Sequence, residues 1–413
     1  MLKKNLVKSR ADEYIAKIEG HGSLSIDWGK GDVNLQVHEG ERLFEGILVG
    51  RTADEMHWIT PRICGVCPIA HNLASLAATE DALGVKITET TKSLRRLMQV
   101  GQNVQSHVLH AVFLALPDYI GIDRITELDF KDPAKFELAL FLKELGDEIA
   151  YVVAGRNVHP TRTTIGGFHK VPTQEELNNL LEKVKTAIPK ARALADFFAT
   201  LKYPELQVDL ELLSQKDGKV LSNKRDSFSI RDYKKNIEEE VKKYSTAKFG
   251  SYKGNVYMVG SLARLYHKSF YDKDISSFGL DFKNPYHNNL AQAIETLFEL
   301  EEAASIMDRL LKEDIDDRIV VPSKNASGQL AGRQGIGAVE APRGGLYNEV
   351  HFDKDGIIKY ANIITPTVQN LTSMENTAEA LLAQHSEKSH NELEHLMEML
   401  IRAYDPCITC SVH

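Results

Sequence analysis

The four cysteines of the chain stand in two Cys-x-x-Cys pairs, Cys64 with Cys67 and Cys407 with Cys410. A two-residue spacer lets both sulfurs of a pair turn toward one ion, and Gly65 relieves the first turn. Four soft thiolates favour zinc, nickel, copper(I) or an iron–sulfur cluster over magnesium or calcium. Each pair runs on to a histidine, His71 after the first and His413 after the second. A structural zinc site is one reading of this pattern, and a redox Cys-x-x-Cys is another. Zinc ribbons bring their pairs within roughly 15–20 residues of each other. Here most of the chain intervenes, so the fold itself must close a shared site. A redox pair does not explain why the second motif abuts the end of the sequence. That end, at His413, is expected if a longer precursor is cut after metal insertion, because chain termini ordinarily fray.

The elements that must carry these pairs are mostly helical. Apolar runs from Ile15 to Trp28 and from Val33 to Val37, split by Gly29-Lys30-Gly31-Asp32, predict a hairpin or small antiparallel sheet. Long helices are expected over Thr90–Leu116, ending at Pro117, and over Pro133–Val153, with proline in the first turn. A further helix is expected over 174–201, interrupted at Pro189. Two acidic, amphipathic ones are expected over 288–312 and 373–404. Residues 318–364 are glycine-rich with short strand-like runs. The polar, lysine-rich stretch 209–254 reads as a peripheral excursion with a solvated charged face. The expected fold is α+β and predominantly helical, a bundle of long helices with small antiparallel sheets at its periphery, in a single domain over 1–413.

Composition narrows the function classes. At 43% hydrophobic and 26% charged, the chain of 413 residues is an ordinary globular protein able to keep an interior site dry. A formal net charge of −8 leaves no basic domain for nucleic acid. No stretch of about 18 uncharged apolar residues predicts a membrane span. The positively charged N-terminus lacks the apolar core of a secretory signal, so the expected compartment is the cytoplasm.

The segments Arg62-Ile63-Cys64-Gly65-Val66-Cys67-Pro68-Ile69-Ala70-His71 and Asp405-Pro406-Cys407-Ile408-Thr409-Cys410-Ser411-Val412-His413 resemble the two signature motifs of nickel–iron hydrogenase large subunits. Both match at every fixed position, and the resemblance runs from Glu19 to His413 apart from 209–254. It implies reversible heterolytic cleavage of H2 to protons and electrons at a Ni–Fe centre whose iron carries CO and cyanide. Cys64 and Cys407 would be terminal nickel ligands, with Cys67 and Cys410 bridging to iron, and His71 would bond a bridging thiolate.

The resemblance extends to supporting residues. Lys17-Ile18-Glu19-Gly20-His21 is similar to the family's Arg-x-Glu-Gly-His, so Glu19 would exchange protons with Cys407; alone it would read as a strand glutamate before a glycine turn. Arg42-Leu43-Phe44-Glu45 is similar to Arg-Gly-Phe-Glu, with Leu43 a departure from glycine. It implies a Mg ion on Glu45, His413 and the carbonyl of Ile363. Ser106-His107-Val108-Leu109-His110 with downstream Asp118 resembles a segment whose aspartate lies close to the metals. His107 and His110 themselves read as core histidines. Glu340-Ala341-Pro342-Arg343-Gly344 matches a motif whose arginine overhangs the open metal site, so Arg343 would act electrostatically with Asp118 and Asp405, and Pro342 would line the cofactor. Thr367 would bond a cyanide. Asn348 stands where the family often has histidine.

Partners follow from the same likeness. Once four thiolates hold nickel and iron, no cysteine remains for an iron–sulfur cluster. A cluster-bearing small subunit is implied, with further flavin or ferredoxin-like electron-transfer subunits, maturation proteins and a C-terminal peptidase. Two other classes compete. The quinone-side large subunit of respiratory complex I shares the fold but lacks the cysteines. A zinc-stabilised structural protein would leave Glu19, Glu45, Asp118 and Arg343 as coincidences. The electron acceptor, whether NAD(P), a deazaflavin, ferredoxin or a disulfide, is not written in the sequence.

Overall fold

The computed structural model of the protein describes residues 10–313, 315 and 333–412; His413 lies outside them. The long helices Glu89–Val108, Pro133–Ala154, Gln174–Ala199 and Asn288–Leu310 pack side by side as the centre of the molecule. The first two cross at glycines. A Cβ on Gly101 would lie 2.6 Å from the Ala150 nitrogen, and one on Gly146 would lie 2.6 Å from the Gln105 nitrogen. Only bare backbones can approach so closely. The ends of these helices are set locally. Thr173 and Glu176 cap each other reciprocally at the start of Gln174–Ala199, and the Asp132 side chain accepts from Lys135 N before Pro133.

Small, mostly antiparallel sheets surround the bundle. Near the N-terminus, Arg10–Tyr14, Gly22–Asp27 and Asp32–Val37 form a meander, as the turn residues 28–31 predict. A second meander, Gln334–Ala341, Gly344–Phe352 and Ile358–Ile364, lies on the helix Pro68–Leu83. Gly335 and Gly337 make that contact possible. A Cβ on either would sit 1.9 or 2.2 Å from the carbonyl oxygens of Ala78 and Ala74. In and beside 209–254, two further short sheets are built on Glu211–Lys216, which also pairs with Tyr257–Met258, and on Ile237–Val241 with Lys248–Tyr252. The expected charged face exists, since Glu238 and Glu240 are exposed. Ile237, Ala247, Phe249 and Tyr252 alternate with it and are buried. The segment therefore packs into the molecule, and its period-two apolar pattern is diluted by lysine in the sequence.

The proline-based boundaries differ from expectation. The helix through Val108 continues as a π-helical stretch Leu109–Ala115 and then as Leu116–Ile120, with Pro117 in its first turn. The wider π turn removes the need for the hydrogen bond that proline cannot donate. Pro189 lies inside an unbroken helix, held by burial of Val184, Ala187 and Ala191 around it. The last expected helix is two, Pro366–Gln384 and His390–Ala403, the second opened by a Ser389–Glu392 capping box. Asn288–Leu310 is not a surface amphipath, because Glu295 and Glu299 are both fully buried in it. Among the described residues no helix is long and apolar enough to cross a membrane.

Candidate metal centre

The two cysteine pairs meet although they are separated by most of the chain. Their four Sγ atoms all lie within 4.8 Å of one another, and all four residues are buried. Cys64 Sγ stands 3.3 Å from Cys407 Sγ, Cys67 Sγ 3.9 Å from Cys410 Sγ, and Cys407 Sγ 3.2 Å from Cys410 Sγ. These separations fit sulfurs sharing one ion, since a metal–sulfur bond is about 2.3 Å.

Each pair is held by its own device. Cys67 caps the helix Pro68–Leu83, whose first residue is a proline that needs no hydrogen-bond partner there. The amides of Val66 and Cys67 both donate to Cys64 Sγ at 3.3 Å. The second pair sits on the short turn Ile408–Cys410 and is pinned against the N-terminal strand region. Ile408 N donates to the Glu19 carbonyl at 3.0 Å, and Glu19 bridges to Cys407 through the backbone. Gly20 is required beside it, because it has φ of 84° and a Cβ there would lie 2.7 Å from the Ile408 Cβ. Thr365 Oγ1 donates to the Cys410 carbonyl at 2.9 Å.

The electrostatics of the cluster call for a cation. Hydrogen bonds from Cys407, Cys410 and Cys64 hold the Cys67 thiol well below its usual range. The same contacts, with burial, push Cys410 well above its own. One thiolate is stabilised at the expense of its neighbours, so four can coexist only around positive charge. Arg343 supplies part of it. Its Nε donates to the Asp405 carbonyl and its Nη2 to Asp405 Oδ1, both at 2.7 Å, and Nη1 reaches Ser106 Oγ at 3.2 Å. Burial works against the guanidinium charge. The Asp405 carboxylate and the thiolates of Cys407, Cys67 and Cys64 outweigh it, so Arg343 stays charged. Asp405 adopts φ of 54°, a left-handed conformation that aspartate tolerates better than most residues.

A closed pocket adjoins the sulfurs. Its walls are Cys67, His71, Ala341, Pro342, Arg343, Leu346, Pro366, Thr367, Cys407 and Cys410. Apart from the sulfurs, the polar groups facing it are few. Thr367 Oγ1 accepts from Cys407 N at 2.9 Å, which leaves its hydroxyl proton to donate elsewhere. His71 Nε2 lies 3.9 Å from Cys410 Sγ. A tetrahedral zinc ion fills its own thiolate cage and needs no such annex. The sulfurs, the annex and the donors of Thr367 and Arg343 line one continuous space.

Other expected residues fall into three groups. Glu19 is beside the cluster. Its Oε2 accepts from Thr409 N at 3.1 Å and its Oε1 from the Thr409 hydroxyl, between the two cysteines of the second pair. Glu45 and Ile363 are brought together, with Ile363 N 3.5 Å from Glu45 Oε1, and Lys248 Nζ is 3.2 Å from the same oxygen. Ser411 and Val412 run past Ala247 and Lys248, so the chain heads toward this group; His413 lies outside the described residues. Asp118 is paired elsewhere, with Lys17 Nζ at 2.9 Å and Arg402 Nε at 2.6 Å. The structure brings Asp405, and not Asp118, to Arg343. Asn348 is fully buried opposite Ile363 in the strand register.

Sequence reasoning left out several residues that hold the site. Gln292 Nε2 donates to Asp405 Oδ2 at 2.9 Å, and its Oε1 meets His110 Nδ1 at 2.5 Å. His110 Nε2 in turn contacts the Arg402 carbonyl at 2.7 Å. Burial lowers the His110 imidazole pKa although Asp405 and Gln292 favour its charged form, and the neutral ring, with one N–H, can donate to only one of the Gln292 and Arg402 oxygens at a time. No local pattern announces Gln292, because its partners lie more than a hundred residues away in the chain.

Comparison with known proteins agrees with this geometry. The family model described as nickel-dependent hydrogenase matches residues 42–147 and 213–413. The sulfhydrogenase 1 alpha subunit of Pyrococcus furiosus is 34% identical, over 99% of this chain and 99% of its own. The sulfhydrogenase 2 alpha subunit of the same organism is 31% identical, over 97% and 98%. Among solved structures, an NAD+-reducing [NiFe]-hydrogenase in its H2-reduced state superposes with a TM-score of 0.82 at 26% identity, covering 98% of this chain and 99% of that one.

Proposed function

The chain belongs to the nickel-dependent hydrogenase family, and from that premise we propose that it is the catalytic subunit of a nickel–iron hydrogenase that cleaves H2 reversibly and heterolytically. The observation that carries the reading is the buried four-thiol cluster opening onto a closed pocket faced by Arg343 and Thr367. When bound, a nickel–iron centre with CO and cyanide on iron supplies the Lewis acidity and the electron-accepting orbitals for H2.

Cys64, Cys67, Cys407 and Cys410 would hold the nickel, with Cys67 and Cys410 the pair that would also be offered to iron. The Thr367 hydroxyl and the Pro342 wall would face the small ligands of such a centre, and Arg343 would hold fixed positive charge beside it with Asp405 as its counter-ion. His71 steadies Cys410. The proton leaves by Glu19, whose carboxylate is already hydrogen-bonded within the second cysteine turn. Its Oε atoms take the proton from Cys407 Sγ and pass it outward. Glu45, the Ile363 carbonyl and His413 would hold a Mg ion.

Because all four cysteines are committed to the centre, electrons pass to a small subunit carrying iron–sulfur clusters. Further electron-transfer subunits, maturation proteins and a C-terminal peptidase complete the assembly. The relatives named for sulfur and NAD+ chemistry fit a cytoplasmic, cofactor-coupled enzyme.

The test is an infrared spectrum of the purified native complex with its nickel content measured. One CO band and a pair of cyanide bands that shift under H2, with nickel bound, are the expected result. Full zinc, no nickel and no such bands would replace this reading with a structural zinc site.

A further inference from the structure

Behind Arg343 lies a buried ionic chain that the proposed Glu19 exit does not use. Glu295 and Glu299 are one turn apart on Asn288–Leu310 and both have no exposed surface. The Tyr271 hydroxyl sits between them, 2.9 Å from Glu295 Oε1 and 3.0 Å from Glu299 Oε1. A phenol has one proton, so it can donate to only one of these carboxyls. The other contact is a hydrogen bond only if that carboxyl carries a proton of its own.

The surrounding charges say which one does. Glu295 receives both Arg264 Nε and Nη2, at 2.7 and 2.6 Å, and this pairing outweighs burial to hold it ionised. Glu299 has Asn103 Nδ2 at 2.9 Å and shares Arg96 with Glu302, which takes two of that guanidinium's bonds. Burial, with the charge of Glu302, pushes Glu299 above the usual carboxyl range. Glu340, also on Arg264, is pushed up by burial as well. Four carboxyls thus face two guanidiniums, and they cannot all be ionised.

Both ends of the chain lead somewhere. Inward, His107 Nε2 is 3.1 Å from Glu295 Oε2. The ring has no exposed surface, and neither ring nitrogen makes an aligned hydrogen bond among the described residues, so Nε2 meets Glu295 by proximity alone and must turn to take a proton from it. The adjoining residue is Ser106, whose hydroxyl accepts from Arg343. Outward, Arg96, Glu302 and Glu340 face an open cavity of about 450 Å³ beside Lys216.

We propose that Glu295, Tyr271 and Glu299 form a proton store that holds one proton through the Tyr271 hydroxyl, exchanges it with this cavity, and hands it to His107 as a route separate from Glu19. The transfer balances without any other reagent. The Glu299 O–H bond breaks as one forms on the Tyr271 oxygen, the Tyr271 O–H breaks as one forms on Glu295, and Glu295 then delivers to His107 Nε2. Glu299 is reloaded from the Glu302 side. The groups facing the store are Arg264, Arg96, Glu302, Glu340 and His107.

The store itself is read without turnover. In the complete complex, the infrared spectrum should contain a protonated-carboxyl C=O band that shifts in D2O. Glu299→Gln should remove it, and Tyr271→Phe should move it to higher frequency. The route is read in a Glu19→Gln background, where Tyr271→Phe should lower the remaining H2/D2O exchange about tenfold, within the range for loss of one proton-transfer group. Nickel content and the CO and cyanide bands should not change. A carboxyl band that survives Glu299→Gln overturns the store, and residual exchange indifferent to Tyr271→Phe overturns the route. Neither result touches the assignment of the metal centre, which rests on the nickel and cyanide measurements.

Discussion

The two polar flanks of the thiol cluster are built on opposite principles. On one side Arg343, Asp405, Gln292 and His110 form a closed set, each buried and bonded to the next. On the other, Glu19 is half-buried, its carboxylate meets the cluster through Thr409 while its backbone is pinned to Cys407 and Ile408, and Lys17 and the exposed His21 are near it in the chain. The sealed side fixes a charge and orients it, and none of its four members meets water directly, so a proton reaches this side only by the buried carboxyl chain behind Arg343. The open side can move a proton but is too loosely held to define a field. Preorganised charge and the direct proton exchange of Glu19 thus occupy different faces of one centre, where each has the solvent access it needs.

That contrast is most easily broken at Glu19. Glu19→Gln keeps the size and the acceptor for Thr409, but its amide cannot take up and release a proton. H2 oxidation and H/D exchange should fall at least about a hundredfold with nickel retained. Wild-type rates in that variant would remove Glu19 from the proton route and make the open flank ornamental.

Arg343→Lys attacks the sealed flank. A single ammonium cannot span the Asp405 carbonyl, the Asp405 carboxylate and Ser106 as the planar guanidinium does. Turnover should drop roughly tenfold to a hundredfold. The pH dependence should keep its shape, because no proton carrier is lost. A changed pH profile would merge the two flanks into one proton-handling unit.

How much of this was legible in the sequence differs by flank as well. The cysteines, Asp405 and Arg343 stand in short motifs whose residue types dictate their chemistry, so the sequence alone names them. Glu19 is visible through its Glu-Gly-His setting, although a lone glutamate before a glycine turn carries no such message. Gln292 and Thr409 were not visible, because their roles arise only from contacts across the fold. The same cause hid structure. Pro68–Leu83 is buried on nearly every side and shows no amphipathic period to read. Pro117 and Pro189 were taken as helix boundaries, whereas a π turn and tertiary packing override them. The acidic helix Asn288–Leu310 looked solvent-facing because the arginines that neutralise its carboxylates lie far away in the chain.

A pH effect outside both flanks calibrates these measurements. His57 is buried, and burial, helped by His169 and Arg95, lowers its pKa from the usual value of about 6.5 to about 4. Its neutral form is the folded one, so the unfolded chain binds the proton first as pH falls. Stability present above pH 6.5 should decline progressively between about 6.5 and 4, by up to about 3 kcal/mol. His57→Phe should flatten that part of the stability–pH curve in chemical denaturation. If it does not, acid sensitivity belongs to the site itself and the flanks must be compared at fixed stability.

The smallest expected effect separates strain that serves the site from strain that does not. Lys17 and Asp405, one on each flank, have φ of 59° and 54°, and Leu43 has φ of 50° with its side chain exposed. All three lie in the left-handed region that costs a residue with a Cβ roughly 1–2 kcal/mol. Lys17 and Asp405 recover that cost in ion pairs with Asp118 and Arg343. Leu43 occupies the position where the family's Arg-x-Phe-Glu run carries glycine. Leu43→Gly should therefore raise the unfolding free energy by about 1 kcal/mol, less the entropy that glycine adds to the unfolded chain. Asp405→Gly should lower it, since the same relief also strands Arg343. Equal and positive shifts at both positions would mean that the left-handed turn at Asp405 is a backbone accident and that the sealed flank does not depend on it.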